Sequence, residues 1–265
     1  LRLAFPADNH LVTGVKRDLS LLQRVEANSG DEVTVLDLAL SQNRDALLVM
    51  LNKGVSVRYF DHHVAKDIPD HPKLTAVIDT SPDMCTSLLV NRHLTGEHLI
   101  WAVIGAFGDN LQDAAYKAAE PLGLKPQQLT ALRELGEYLN YNSYGESVED
   151  LYFHPAELYR ILHHHKNPFI FIRDDGVFEI LKHGYTEDME IARAVRPEHE
   201  TQTGVVYILP DKPWSRRVSG AFGNTLASTR PDRAHAVLTQ RSDGTFVVSV
   251  RAPQTTSSGA DVLCS

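Results

Sequence analysis

Residues 58–67, RYFDHHVAKD, set one carboxylate and two imidazoles side by side, Asp61, His62 and His63, directly after a strand-like run. Two further carboxylates occupy comparable places: Asp37 follows VTVL, and Asp109 follows the apolar stretch ending GAFG. In open parallel sheets the carboxyl ends of the strands form the ligand crevice, so acidic groups at successive element ends can converge there. Carboxylates joined by an imidazole form a hard-to-borderline donor set. It suits Mn²⁺, Mg²⁺ or Fe²⁺ better than a thiolate zinc site, and the chain has no Cys-x-x-Cys pair. Two adjacent histidines at a strand end cannot both point the same way. One can ligate a metal while the other faces a substrate as hydrogen-bond donor or general acid.

Taken singly, each of these residues has a plainer reading. A lone Asp at a strand end is usually a cap or turn residue, and adjacent histidines are usually surface. His163, His164 and His165 close a predicted helix, where imidazoles suit the dipole, and are read as helix-end residues, not ligands. The combination of Asp37, Asp61-His62-His63 and Asp109 is far more specific. No Gly-x-Gly-x-x-Gly or Gly-Lys-Ser phosphate loop competes with it, and no Gly-x-Ser-x-Gly elbow points to a serine hydrolase.

The elements that must position these groups alternate. HLVTGVKRD reads as a short strand, after which Asp18 caps a helix through LSLLQRVEA. DEVTVLDLALS reads as a strand buried on both faces. Ser41 is placed to cap a helix through QNRDALLVMLNK, which Gly54 stops. VSVRYFDHH and LTAVIDT are two more strands. This alternation predicts an α/β fold with a mainly parallel sheet and flanking helices. From Thr86 to about His165 the pattern turns helical (CTSLLVNRHL, HLIWAVIGAF, QQLTALRELGEYLNY, PAELYRILHHH). A further helix, EDMEIARAV, leads to Pro197 and polar EHETQTG, which places a domain boundary between residues 195 and 202. Beyond it GVVYILP, AHAVLTQ and TFVVSVRAP read as strands, with SDG a turn and GNTLASTR a short helix. Residues 1–195 and 202–265 are thus expected to form a larger α/β domain and a smaller mixed α/β domain.

With 43% hydrophobic and 23% charged residues over 265 positions, the chain is an ordinary globular one. Its longest apolar run, LIWAVIGAF, is far too short to span a bilayer, and LRLAFPADNH lacks a signal-peptide layout. Only Cys85 and Cys264 occur, which suits a reducing cytoplasm. The formal net charge is −8, yet from Gln202 onward seven basic residues face four acidic ones. That segment therefore carries +3 and leaves −11 for the rest. An acidic body with a basic tail suits an anionic ligand held between a metal site and a positive clamp.

At these residues the sequence resembles the DHH-superfamily phosphoesterases. VLDLALS is similar to the family's second motif, YFDHH to the third and GAFGDN to the fourth, in the family's order and separations. The C-terminal part resembles the DHH-associated substrate-binding domain, in which a strand like FVVSVRAP presents an Arg. The resemblance implies that Asp37 bridges two divalent cations, Mn²⁺ by preference. It also implies that His62 ligates one of them and that Asp109 completes a ligand set. Asp61 would be a ligand or an orienter of the histidines, His63 would contact the scissile phosphate and protonate the leaving oxygen, and Arg251 would clamp the phosphate. No counterpart of the family's first motif, an Asp-x-Asp, is present, and Asp8 and His10 of PADNH are rejected as substitutes. Relative to the family both ends look clipped, the final Gly-rich signature being expected just past VLCS. These 265 residues alone are accordingly expected to be folded or partly folded but nearly inactive with manganese.

The function so implied is hydrolysis of short oligonucleotides or of linear or cyclic dinucleotides to mononucleotides. The alternatives are a pyrophosphatase or nucleotide phosphomonoesterase on the same metals, and a nucleotide sensor without catalysis. A homodimer is compatible with this reading; a membrane partner is not. YLNYNSYG could stack bases through Tyr138, Tyr141 and Tyr144, although such spacing on a helix more often serves core packing.

Overall fold

The structure, a computed structural model, describes residues 1–253, 255, 256, 259, 260 and 262. It comprises two compact units. One holds Leu1–Asn140 and Pro155–Phe178; the other holds Tyr141–His154 and the chain from Glu179 onward.

In the first unit, β1 (Glu32–Leu36), β2 (Ser56–Asp61) and β3 (Leu74–Ile78) form an all-parallel sheet in that order. The register pairs Leu36 with Phe60 and Asp61 with Ile78, so the carboxyl ends of the three strands lie level. Helix α1 (Leu40–Asn52) makes the first crossover. Its Leu40, Leu47, Met50 and Leu51 pack with Leu22, Val35, Val57 and Tyr59 in one buried cluster. Gly54, at φ +90°, turns the chain out of the helix, as its sequence position requires. The helix is not capped by Ser41: it begins at Leu40, with Ala39 at the N-cap and no side-chain cap. Buried Asn43 ties it instead to the preceding segment, donating to the Leu19 carbonyl and accepting from the Leu22 amide.

Further expectations for this half are not met. HLVTGVKRD forms no strand, because no neighbour offers it a ladder, and the helix foreseen after Asp18 is a single 3₁₀ turn, Leu21–Arg24. Asp18 pairs with Arg24 rather than capping it. β1 is an edge strand with only Val35 buried, not a strand covered on both faces.

The helical stretch is α2 (Thr86–His93), α3 (Leu99–Gly108), α4 (Gln112–Ala119), α5 (Pro126–Tyr141), α6 (Pro155–Leu162), α7 (Pro168–Asp174) and α8 (Gly176–Ala194). The glycines of α3 permit close crossings. A Cβ at Gly105 would lie 2.1 Å from the Ser87 hydroxyl, and one at Gly108 would lie 2.9 Å from the Gly136 carbonyl. Those approaches seat α3 against α2 and α5 and so fix where Asp109, just past its end, can lie. Among the described residues, no helix is long and apolar enough to cross a membrane.

In the second unit, β4 (His199–Glu200), β5 (Gly204–Leu209), β6 (Ala234–Gln240) and β7 (Phe246–Arg251) form a mixed sheet in chain order, with only β5–β6 parallel. Helix α9 (Pro213–Thr229) is more than twice the length expected from GNTLASTR. Pro213 at its first position favours the start. Its buried positions Ser215, Val218, Ser219 and Phe222 keep helical spacing, but with residues too small and polar to announce it. The core joins Tyr141, Met189 and Ala192 to Leu209, Val218, Phe222 and Val237, so this unit draws on residues upstream of position 195.

The unit also contains a buried ionic cluster. Arg216 grips Asp150 with two 2.7 Å hydrogen bonds and also pairs with Asp211. Arg217 donates to Asp188 (2.8 Å) and to the Asp150 carbonyl (2.7 Å), and the Tyr141 hydroxyl donates to the same Asp188. Burial, reinforced by that Asp188 bond, pushes the Tyr141 phenol far above its usual value. Removing Asp188 would strand a guanidinium that is only 11% exposed. Asp188→Ala is therefore expected to cost about 3–5 kcal/mol, read from urea unfolding, whereas loss of an exposed pair such as Arg230–Asp232 should hardly move the unfolding curve.

Candidate metal centre

The level strand ends bring three aspartates to one edge of the parallel sheet: Asp37 after β1, Asp61 closing β2 and Asp79 after β3. Their fates differ. Asp79 is consumed locally, accepting from the Ser81 hydroxyl (2.6 Å), the Ser81 amide (3.1 Å) and Arg92 (2.8 Å). The Ser81 hydrogen bonds, helped by Arg92, bring its carboxyl down to about 2. It is the turn residue that a strand-end Asp usually is.

Asp61 is wholly buried. Its Oδ1 accepts from the His62 amide (2.8 Å), the His63 amide (3.2 Å) and the His63 Nδ1 (2.7 Å). One carboxylate oxygen thus sets both the backbone turn after β2 and the His63 ring, leaving His63 Nε2 as the atom free for other partners. Asp61 Oδ2 is buried with no hydrogen-bond partner among the described residues. Asp61 thus holds the His63 ring and the backbone amides of both histidines.

His62 turns the other way, its ring centroid 4.6 Å from that of His63. A carbonyl can only accept, so the 2.9 Å contact between His62 Nδ1 and the Met84 carbonyl places the proton on Nδ1. Nε2 therefore carries the lone pair of the neutral ring. It lies 3.4 Å from Asp37 Oδ1 and 3.6 Å from Asp109 Oδ2. Asp37 adopts φ +60°, a left-handed conformation that Asp tolerates. Its amide donates to the Phe60 carbonyl (3.0 Å), and the Tyr59 hydroxyl holds the next turn through the Leu38 carbonyl (2.7 Å). The Asp37 side chain, 56% exposed, accepts from the buried Thr86 hydroxyl at 2.7 Å.

Asp37, His62 and His63 each offer a ligand atom, all within 4.8 Å of one another, and Asp109 faces the same His62 nitrogen. Two carboxylates and an imidazole with a directed lone pair fit a hard-to-borderline divalent cation. Among the described residues the thiol is that of Cys85, which burial pushes up to about 11, so it offers no thiolate. Cys264 lies outside the described residues. Burial also holds the Asp109 carboxyl above the usual carboxylate range; Asp37 adds to the rise, while Lys16 opposes it. Lys16 itself is held by Asn140 at 2.9 Å. A carboxyl that prefers its proton in the folded chain contributes stability below its unfolded value and loses it as pH rises through the folded one. Cation binding must displace that proton. Affinity for Mn²⁺ measured by calorimetry is expected to rise with pH as that proton is released, and Asp109→Asn should weaken that dependence.

The chain is similar in structure to a solved protein described as the DHH domain of a member of the s1p family of ribosomal proteins. The TM-score is 0.53 at 13% identity, over 84% of this chain. The fold is that of a DHH domain. At this identity the likeness is one of fold, and the chain spans 56% of the length of that structure. No family model and no curated protein matches the sequence.

On this DHH fold the remaining sequence candidates fall as follows. Arg251 ends β7 in the second unit, its guanidinium donating to Asn224 (2.9 Å), Ser249 (3.1 Å) and the Val250 carbonyl (3.1 Å). His165 approaches Asp175 at 3.9 Å, and none of His163–His165 belongs to the metal group. Tyr138 and Tyr141 are buried, so they pack rather than stack bases. The basic surplus of the tail is largely neutralised: Arg216, Arg217, Arg230, Arg233 and Arg241 all sit in ion pairs. Sequence reasoning did not foresee Thr86 or the Met84 carbonyl. Thr86 is 49 residues from Asp37, and a carbonyl leaves no mark on residue identity.

Proposed function

We propose that this protein is a metal-dependent phosphodiesterase that cuts short oligonucleotides or dinucleotides to mononucleotides, with Mn²⁺ the preferred cation. The observation that carries the reading is His62 Nε2, its lone pair fixed by the Met84 carbonyl and faced by Asp37 and Asp109 at 3.4 and 3.6 Å. Asp37, His62 and Asp109 would hold the cation. When bound, divalent cations on such a site supply water activation and neutralise charge at the phosphate. The chain's own residues do the rest. Asp61 holds His63 by Nδ1 so that Nε2 points away from the buried carboxylate; the doubly protonated ring would pass its Nε2 proton to the leaving oxygen and be left neutral. Arg251 suits a phosphate clamp because, among the described residues, its hydrogen-bond partners are the neutral oxygens of Asn224, Ser249 and Val250.

A substrate panel tests this reading. However slow its turnover, purified protein with Mn²⁺ should give mononucleotides as the products from di- to pentanucleotides and leave nucleoside monophosphates intact. Release of inorganic phosphate from pyrophosphate or monophosphates would replace the phosphodiesterase by its phosphatase alternative. Tight nucleotide binding with no product would replace it by a sensor.

A further inference from the structure

We propose that the turn Met84–Thr86, at the start of α2, is the positioning element of the cation site, with Thr86 the residue that aims Asp37; this rests on the metal reading above. Asp37 and His62 come from different strands, yet both are held by this three-residue stretch. The Met84 carbonyl fixes the His62 ring at Nδ1, and the Thr86 hydroxyl donates to Asp37 Oδ1, the same oxygen that faces His62 Nε2.

Asp37 most needs such help. Its side chain is 56% exposed, so packing does not choose its rotamer, and among the described residues the Thr86 hydroxyl is its hydrogen-bond donor. The donor is well placed to act as a fixed point, because Thr86 is only 7% exposed and begins a helix. A hydroxyl on one lone pair of Oδ1 leaves the other lone pair and Oδ2 for a cation. Fixing the carboxylate beforehand removes an ordering cost from cation binding, which is why partners of metal ligands affect affinity without touching the metal.

The role can be separated from a structural one. Thr86→Val keeps shape and burial and loses the hydroxyl. Asp37, being exposed, regains a water in its place, so the fold should hardly notice. Thr86→Ser keeps the hydroxyl and loses a methyl. Mn²⁺ titration calorimetry on the whole protein, with melting curves for each variant, should show affinity falling about 10–100-fold in Thr86→Val and staying within about threefold in Thr86→Ser. Unchanged affinity in a folded Thr86→Val protein overturns the positioning role and leaves the metal site standing. Failure of the parent protein to bind Mn²⁺ overturns the metal reading and this inference with it. Should Thr86→Val not fold, Thr86→Ser decides: a tenfold loss there, with the fold intact, also overturns the proposal.

Discussion

Asp37→Asn should abolish cation binding at this site while leaving the protein as stable as before, or more so. Asn has the same shape and tolerates the left-handed backbone that residue 37 adopts at φ +60°, so the turn after β1 is retained. What disappears is one negative charge. In the metal-free chain that charge adds to the rise of the Asp109 carboxyl, so its removal relieves repulsion. With a cation present, the same charge is one of two carboxylates that face His62 Nε2. Partners that merely orient ligands cost 10–100-fold when lost, so a direct ligand should cost more than about 100-fold in Mn²⁺ affinity. Hydrolysis should fall by orders of magnitude with it. Calorimetry and a melting curve on the same sample check both halves. Mn²⁺ affinity within a few-fold of the parent would remove Asp37 from the ligand set.

How much of this was legible in the sequence follows the range of the interactions concerned. Asp61-His62-His63 could be placed because VSVRYF alternates as a strand and the chemistry follows it immediately. Asp37 and Asp109 could be placed for the same reason, each closing an apolar run with its own local signal. What failed needed a partner to be known. VTVL has the composition of a doubly covered strand but lies at an edge, and HLVTGVKRD has strand-forming residues but no ladder to join. In α9 the helical period exists, carried by Ser215, Ser219 and small residues that read as loop. Gly220 is there because a Cβ would lie 2.9 Å from the Tyr144 ring, a contact across 76 positions of sequence. The charge of the tail is hard to read for a similar reason. The +3 of the tail is real, but five of its six arginines are taken up by carboxylates, some of them upstream of the tail, such as Asp150, Asp188, Glu146 and Glu200. Net charge over a segment says little about free charge unless its partners are known.

His63→Ala and Arg251→Ala should damage the reaction in different ways, and the difference identifies their roles. His63 is half exposed, its Nδ1 anchored 2.7 Å from a buried carboxylate and its other nitrogen turned outward. That is the geometry of a proton carrier with a fixed ring, and removing such a group typically lowers turnover by about 10²–10⁴-fold. Because the ring is not needed to gather the substrate, KM should change little. Among the described residues Arg251 is held by neutral oxygens, and as the proposed anion contact it would bind a phosphate alike in ground and transition states. Loss of such uniform binding raises KM and spares kcat. Steady-state kinetics on a dinucleotide with Mn²⁺ should therefore show kcat falling in His63→Ala and KM rising about tenfold or more in Arg251→Ala. Raised salt should weaken binding by the parent more than by Arg251→Ala, since screening acts on the charge that the variant has already lost. Equal losses of kcat with unchanged KM in both variants would contradict this division, and would mean that Arg251 acts on the reacting phosphate itself.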